Sequence, residues 1–229
     1  MSSSKYSMDL STTFRADVRY TFTGQFLEAA TLFARRARLI EGMPNDELKE
    51  ELHREHRGLV SATLMQCAAA LETEAGEICT YGPGAHLGSN ETNRSAHKFL
   101  NPLADVVDRH EPLRRFELIL HLLKRPALDR GREPYQSAAL VVRLRNEITH
   151  YKSMWGQEME SSKLFGSIKG LRHNPPPFIA PNTNFFPHQC LSADCAAWAV
   201  ISTVAFLDAV YDKLDVPSRF ETYRPGVTP

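Results

Sequence analysis

The 229-residue chain carries no net charge: 27 Lys and Arg balance 27 Asp and Glu. A protein that grips long nucleic acid without specificity is usually basic overall, so the bulk charge argues against that role. There are four cysteines, Cys67, Cys79, Cys190 and Cys195, and none forms a C-x-x-C pair. Cys67 and Cys195 lie in apolar helical runs, where free cysteine behaves as a small hydrophobe. The opening residues "MSSSKYSMDLSTTF" contain no apolar segment of the kind a leader peptide needs. The longest apolar stretch, within 193–211, is interrupted by Asp194, Ser202, Thr203 and Asp208 and is not expected to span a membrane. A reducing, cytoplasmic setting without a membrane partner is the expectation. "GPGAHLG" has no strand before it and no Lys-Ser/Thr after it, which excludes a phosphate-binding loop of the usual kind. No serine or cysteine has a recognisable partner arrangement for nucleophilic catalysis. Strand-like alternation is missing too.

Helical periodicity fills the space these absences leave. Apolar residues recur at spacings of three and four from Asp17 to Ile40, including Phe22, Phe26, Ala29, Ala30, Phe33 and Ala37. "GMPND" breaks the run, and Asn45 or Asp46 is placed to cap a second helix over 46–79. Its first half, "DELKEELHREHRG", is polar and is expected to project into solvent. Further helices are expected at 95–109, 112–125, 134–153 and 157–171. "NPPPFIAPNTNFFPHQ" (174–189) is too proline-dense for regular structure and reads as a crossing segment. Ser192 is placed to cap a last helix over 192–214, apolar on nearly every side and therefore central. The expected fold is all-α: a single-domain, up-and-down helical bundle of five to seven helices over 16–216. A flexible N-terminal tail, 1–15, precedes it and a C-terminal tail, 217–229, follows.

Charge is distributed less evenly than its sum suggests. From Arg109 to Lys152 ten Lys and Arg stand against five Asp and Glu, a local excess that can attract phosphate. The stretch ends in "VVRLRNEITHYKS" (141–153). With successive residues turning by about 100°, Val141, Leu144, Ile148 and Tyr151 share one core-facing sector. Arg145 lies at its edge. Asn146 and His150 are four residues apart and share a strip, so the amide is placed to orient the imidazole. Arg145 and His150 lie about 140° apart around the axis. A second copy of the helix across a two-fold axis would gather two arginines and two histidines at one cleft.

"RNEITH" resembles the R-x4–6-H signature, with a polar residue after the arginine, of the HEPN superfamily (higher eukaryotes and prokaryotes nucleotide-binding). Two longer stretches agree. "LVSATLMQCAAALETEAGEI" (59–78) is similar to the small-residue first core helix of many members, with the step Ala70-Leu71-Glu72. "LSADCAAWAVISTVAFLDAVYDKL" (191–214) is similar to the closing helix of a bacterial subgroup. The resemblance covers about 46–214. It implies an α-helical, usually homodimeric domain, and in many members a metal-independent endoribonuclease, with Arg145, Asn146 and His150 at the catalytic positions. It therefore implies RNA as substrate, no cofactor and no metal, a role in defence or stress, and in some members a paired antitoxin or regulatory protein. In the paired toxins the motif continues H-x-Y. Here the tyrosine follows directly, as Tyr151. Members that have lost catalysis serve regulatory or scaffolding roles, which is the alternative.

The residue chemistry fits the same reading. RNA can be cut without a metal because its own 2′-hydroxyl attacks the adjacent phosphorus. Imidazole suits proton transfer near neutral pH. Guanidinium presents a permanently charged fork to phosphate oxygens. Glu72, on a largely apolar helix face, is expected either to support the motif helix by pairing with one of its basic residues or to sit at a helix edge, with Tyr151 as a second supporting residue. Arg143, Lys152 and Arg132 are the candidate phosphate or RNA contacts. Arg145 pairing with Glu147 or Glu133, and His150 rimming the core, is the purely structural expectation. His53 and His56 form an H-x-x-H pair on a polar face that is expected to be solvated, since zinc needs more ligands than these. Trp198 and Phe206 are expected in the core.

Overall fold

Two long helices form the first hairpin. In the computed structural model, which describes residues 21–44, 47, 49–87, 91–151, 163–171 and 173–226, α1 spans Thr23–Glu41 and α2 spans Glu50–Tyr81. They run antiparallel. At one end the Phe22 and Thr23 N–H groups donate to Glu77 Oε1, at 2.7 and 3.2 Å, and at the other His56 Nε2 lies 2.9 Å from Glu41 Oε1. Helix α2 stops at Gly82, whose φ of 85° is in the left-handed region that glycine adopts without steric cost.

The expected start of α2 is corrected. Its N-cap is Lys49, without a side-chain cap, while Asn45 and Asp46 lie outside the described residues. Its polar first half does not stand free in solvent either. His56 is fully buried, and Phe178 from the crossing segment stacks on His53 at 4.4 Å and meets His56 edge-on at 5.0 Å. The reason is local. Imidazole and the proline-flanked Phe178 ring supply apolar surface that a polarity pattern does not register.

The helix expected over 95–109 is two. α3 spans Glu91–Leu100 and α4 spans Ala104–Val107, with the 3-10 turn Asn101–Leu103 between them. Pro102 in that turn lacks the N–H that a continuous α-helix needs. After α5 (Pro112–Leu122) come α6 (Tyr135–Thr149), α7 (Lys163–Lys169) and α8 (Ala193–Leu214). Eight α-helices among the described residues exceed the expected five to seven. They contain no strand, and the all-α bundle stands.

The four longer helices α1, α2, α6 and α8 alternate in direction. The start of α8 meets the end of α1, where the Ala193 N–H donates to Glu41 Oε1 at 2.7 Å. Tyr135, at the start of α6, packs edge-on against Phe206 late in α8, with centroids 5.9 Å apart, while Tyr151 beyond the end of α6 meets Phe186 ahead of α8. Helix α8 begins as its sequence dictates: Ser192 Oγ accepts from the Cys195 N–H at 3.3 Å. It is long and apolar enough to cross a bilayer, with mean hydropathy 1.5, yet 61% of that apolar window is buried inside the bundle. Phe206 is wholly buried and Trp198 packs at the edge of the core.

Residues 217–226, within the expected C-terminal tail, lie against the bundle. Arg219 Nη2 reaches both Glu74 Oε2 and Glu77 Oε2 at 2.8 Å, Phe220 is buried against Tyr211, and a 3-10 helix spans Glu221–Gly226. The Phe220 ring and the Arg219 side chain, which neutralises the buried Glu74, fasten this segment to the bundle. The expected tail over 1–15 lies outside the described residues.

Candidate functional site

Helix α6 turns Ala138, Val141 and Leu144 into the core, with Ile148 partly buried behind them. That face fixes the rotation of the helix and so the direction of every other side chain on it. Arg145, at the edge of the buried face, is only 22% exposed and pairs through Nη2 with Glu72 Oε1 of α2. Arg145 Nε is buried and has no partner among the described residues. Of the partners the sequence offers for this arginine, the structure selects Glu72 rather than Glu147 or Glu133.

The helix ends earlier than its pattern suggests. Thr149 Oγ1 donates to the Arg145 carbonyl at 2.9 Å, competing with the backbone ladder in the last turn. His150 becomes the C-cap, at φ −114° and ψ 29°, with its own N–H donating to the Asn146 carbonyl at 2.9 Å. The expected 134–153 helix is therefore shortened at both ends, and Pro134 is its N-cap rather than its first helical residue. Tyr151 leaves the core-facing sector: it is 45% exposed, its ring 6.3 Å from that of Phe186.

Asn146 and His150 are both exposed and follow one another on the outer side of α6. Among the described residues the backbone bond is the link between them, and both residues are open to solvent. The structure thus joins Arg145 to Glu72 and places Asn146 beside His150. It does not bring Arg145 and His150 together within one chain. Arg143 Nη1 donates to Ser167 Oγ of α7 at 3.2 Å, and Arg132 Nε lies 3.4 Å from Asp129 Oδ2 on an exposed turn. Lys152 lies outside the described residues. Glu72 also borders a shallow depression of about 390 Å³, together with Thr73, Gly76 and Arg115. Neither the cavity of about 630 Å³ beside Leu214 nor that of about 470 Å³ beside Pro112 is lined by Arg145, Asn146 or His150. Among the described residues no three His, Cys, Asp or Glu side chains converge as metal ligands.

Two clusters escape the sequence reading. Glu117 on α5 holds Arg114, Arg130 and the Tyr135 hydroxyl at once. The Arg114 contact is visible as an i,i+3 pair, but Arg130 and Tyr135 come from beyond the helix and leave no spacing signal. Glu74, wholly buried, receives the Tyr211 hydroxyl and Arg219. Burial pushes its carboxyl up, and the Arg219 charge and the Tyr211 hydrogen bond oppose the rise. Comparison with protein-family models, with curated proteins and with solved structures finds no match.

Proposed function

We propose that the protein is a HEPN-type, metal-independent endoribonuclease that acts as a homodimer in the cytoplasm. The observation that carries this reading is the division of labour on α6. Asn146 and His150 are open to solvent on one strip, while Arg145 is steadied from the core side by Glu72. A second copy laid antiparallel along that strip would supply the partner imidazole and guanidinium that one chain lacks. The RNA 2′-hydroxyl then attacks the adjacent phosphorus. One imidazole takes the hydroxyl proton, the other protonates the leaving 5′-oxygen, and arginine stabilises the charge on the phosphoryl oxygens. Asn146 orients an imidazole or a phosphoryl oxygen. The products are a 2′,3′-cyclic phosphate and a 5′-hydroxyl end.

The test is incubation of purified protein with mixed RNAs in EDTA, beside His150→Ala. Cleavage by the parent alone, with cyclic-phosphate ends, supports the reading. Absence of cleavage, or equal cleavage by both proteins, removes it.

One observation favours a second reading, a non-catalytic regulatory module that binds a nucleotide or a protein partner such as an antitoxin: the chain is neutral overall, with 27 Lys and Arg against 27 Asp and Glu, where a protein that grips long nucleic acid is usually basic. Stoichiometric binding of a ligand or partner at the α6 strip without RNA turnover would select it.

A further inference from the structure

The basic stretch ahead of α6 folds into a cavity of about 470 Å³, bounded by the first turn of α5, the turn at Arg130 and the outer side of α6. Arg114 and Arg130 form its charged wall. Glu117 clamps both from outside the lining: Arg114 Nη1 donates to its Oε2 at 2.6 Å, Arg130 Nε to its Oε1 at 2.5 Å, and Arg130 Nη2 to its Oε2. Tyr135 Oη donates to Glu117 Oε1 at 2.9 Å. Burial pushes the Glu117 carboxyl up, but the hydrogen bonds from Arg130, Arg114 and Tyr135 outweigh it and hold the group below its ordinary range. The clamp is therefore charged at neutral pH and fixes the direction of two guanidinium groups.

Each guanidinium keeps donors in reserve. Among the described residues Arg130 Nη1 and Arg114 Nε and Nη2 have no partner, and both side chains are at least half exposed. The Leu113 and Arg114 backbone N–H groups in the first turn of α5 are also without one. The two guanidinium charges are answered by Glu117 behind them and by Glu111 on the rim, so the cavity offers fixed donors rather than an excess of charge. The remaining wall is apolar, formed by Leu113, Ala139, Val142 and the Tyr135 ring. Donors from two guanidinium forks exceed what the two oxygens of a carboxylate satisfy, whereas the three free oxygens of a phosphate monoester accept them. The volume is that of a small-molecule pocket.

We propose that this cavity binds a phosphate monoester with a compact, flat, apolar body, the phosphate held by Arg114 and Arg130 and the body laid against α6. The cavity lies on the same outer strip of α6 as the motif: Asn146 is four residues beyond Val142, about 6 Å along the helix axis, and His150 eight residues, about 12 Å. Binding of a phosphate ester is read directly and does not depend on RNA cleavage.

Titration calorimetry tests it with inorganic phosphate, phenyl phosphate, a nucleoside 5′-monophosphate and phenol. Phenyl phosphate is expected to bind saturably at one site, more tightly than inorganic phosphate, while phenol does not bind. The nucleoside monophosphate measures the body: tighter binding than phenyl phosphate assigns a nucleotide, weaker binding a smaller aromatic ester. Arg130→Gln should weaken binding roughly tenfold, the order expected for loss of a charge-assisted contact. Glu111→Gln should tighten it, and His150→Ala should leave it unchanged. Arg130→Gln also leaves Glu117 less compensated, so the Arg130→Gln/Glu117→Gln double variant controls for folding and should still bind weakly. Failure of both esters to bind, equal binding of phenol, or undiminished binding by the two Arg130 variants would overturn the proposal.

Discussion

Arg145 reaches across the seam between α6 and α2 to pair with Glu72, so its direction is fixed by a helix that lies sixty or more residues earlier in the chain. The pair is partly exposed, with side chains 22% and 37% accessible, and such pairs contribute about 0–1 kcal/mol to stability. Glu72→Gln should therefore lower the melting temperature only slightly. If Arg145 serves the proposed reaction, the same change loosens a group that must hold a phosphoryl oxygen. Ribonuclease turnover should then fall by roughly tenfold or more with little change in KM, since precise placement acts in the transition state. A large stability loss with unchanged specific activity would make the pair a packing strut and nothing else.

Acid should loosen the end of the bundle where the crossing segment is fastened. Burial lowers the His173 pKa despite the nearby Asp194 charge, so folding favours the neutral ring. A histidine whose folded pKa lies below its unfolded value near 6.5 contributes stability above about pH 6.5, and that contribution drains away as pH falls through the folded pKa. Asp194 works in a lower window. Burial pushes its carboxyl up, but hydrogen bonds from Arg38 and Asn174 hold it below its ordinary value, so its contribution is lost only as pH falls below about 4. Urea midpoints measured across pH should fall in two stages, and His173→Phe should remove the upper one. A midpoint that stays flat from pH 7 to pH 5 in the parent protein would contradict the assignment.

How much of this was legible in the sequence differs element by element. The core faces of α6 and α8 follow from periodicity alone, because a buried stripe must recur at helical spacing wherever the helix packs. Ser192 was readable as a cap since its partner is three residues away. Longer-range partners were not. Glu72 could be marked as a candidate for the motif helix, but choosing it over Glu147 or Glu133 required knowing how α2 and α6 lie side by side. Arg219 looked like part of a tail because nothing near it in sequence announces the buried Glu74 it neutralises. His56 looked solvated because its neighbours are charged, while its actual surroundings come from Glu41 and Phe178.

The thiols should be silent in the folded protein. All four cysteines are free and buried. Burial pushes the Cys67 thiol up to about 12 and the Cys79 thiol up to about 11, the latter assisted by the Asp108 charge. Thiolate, not thiol, is the nucleophile, and little of it exists at pH 8 in either site. A disulfide exchange reagent added to native protein at pH 8 should therefore react at the rate of global unfolding, with the four thiols released together in denaturant. Rapid stoichiometric labelling of Cys67 or Cys79 under native conditions would show that the helices open locally.

The strongest single test of the fold lies at Glu74. This carboxylate is wholly buried and is answered by the Tyr211 hydroxyl and by Arg219, which reaches in from beyond α8. Burial works against the Arg219 charge, yet the facing Glu74 carboxylate raises its pKa above the ordinary value, so the arginine stays charged. Removing one partner of a buried pair leaves the other charge uncompensated, at a cost of about 3–5 kcal/mol. Arg219→Met should cost about that much, shared between the lost pair and the freed 217–226 segment. Glu74→Gln in the same background removes the stranded charge while keeping a group that can hydrogen-bond Tyr211, so the double variant should recover part of the loss. Chemical denaturation of the three proteins decides the matter. A double variant no more stable than Arg219→Met would mean that the loss comes from detaching the segment around Phe220 and not from the electrostatics of Glu74.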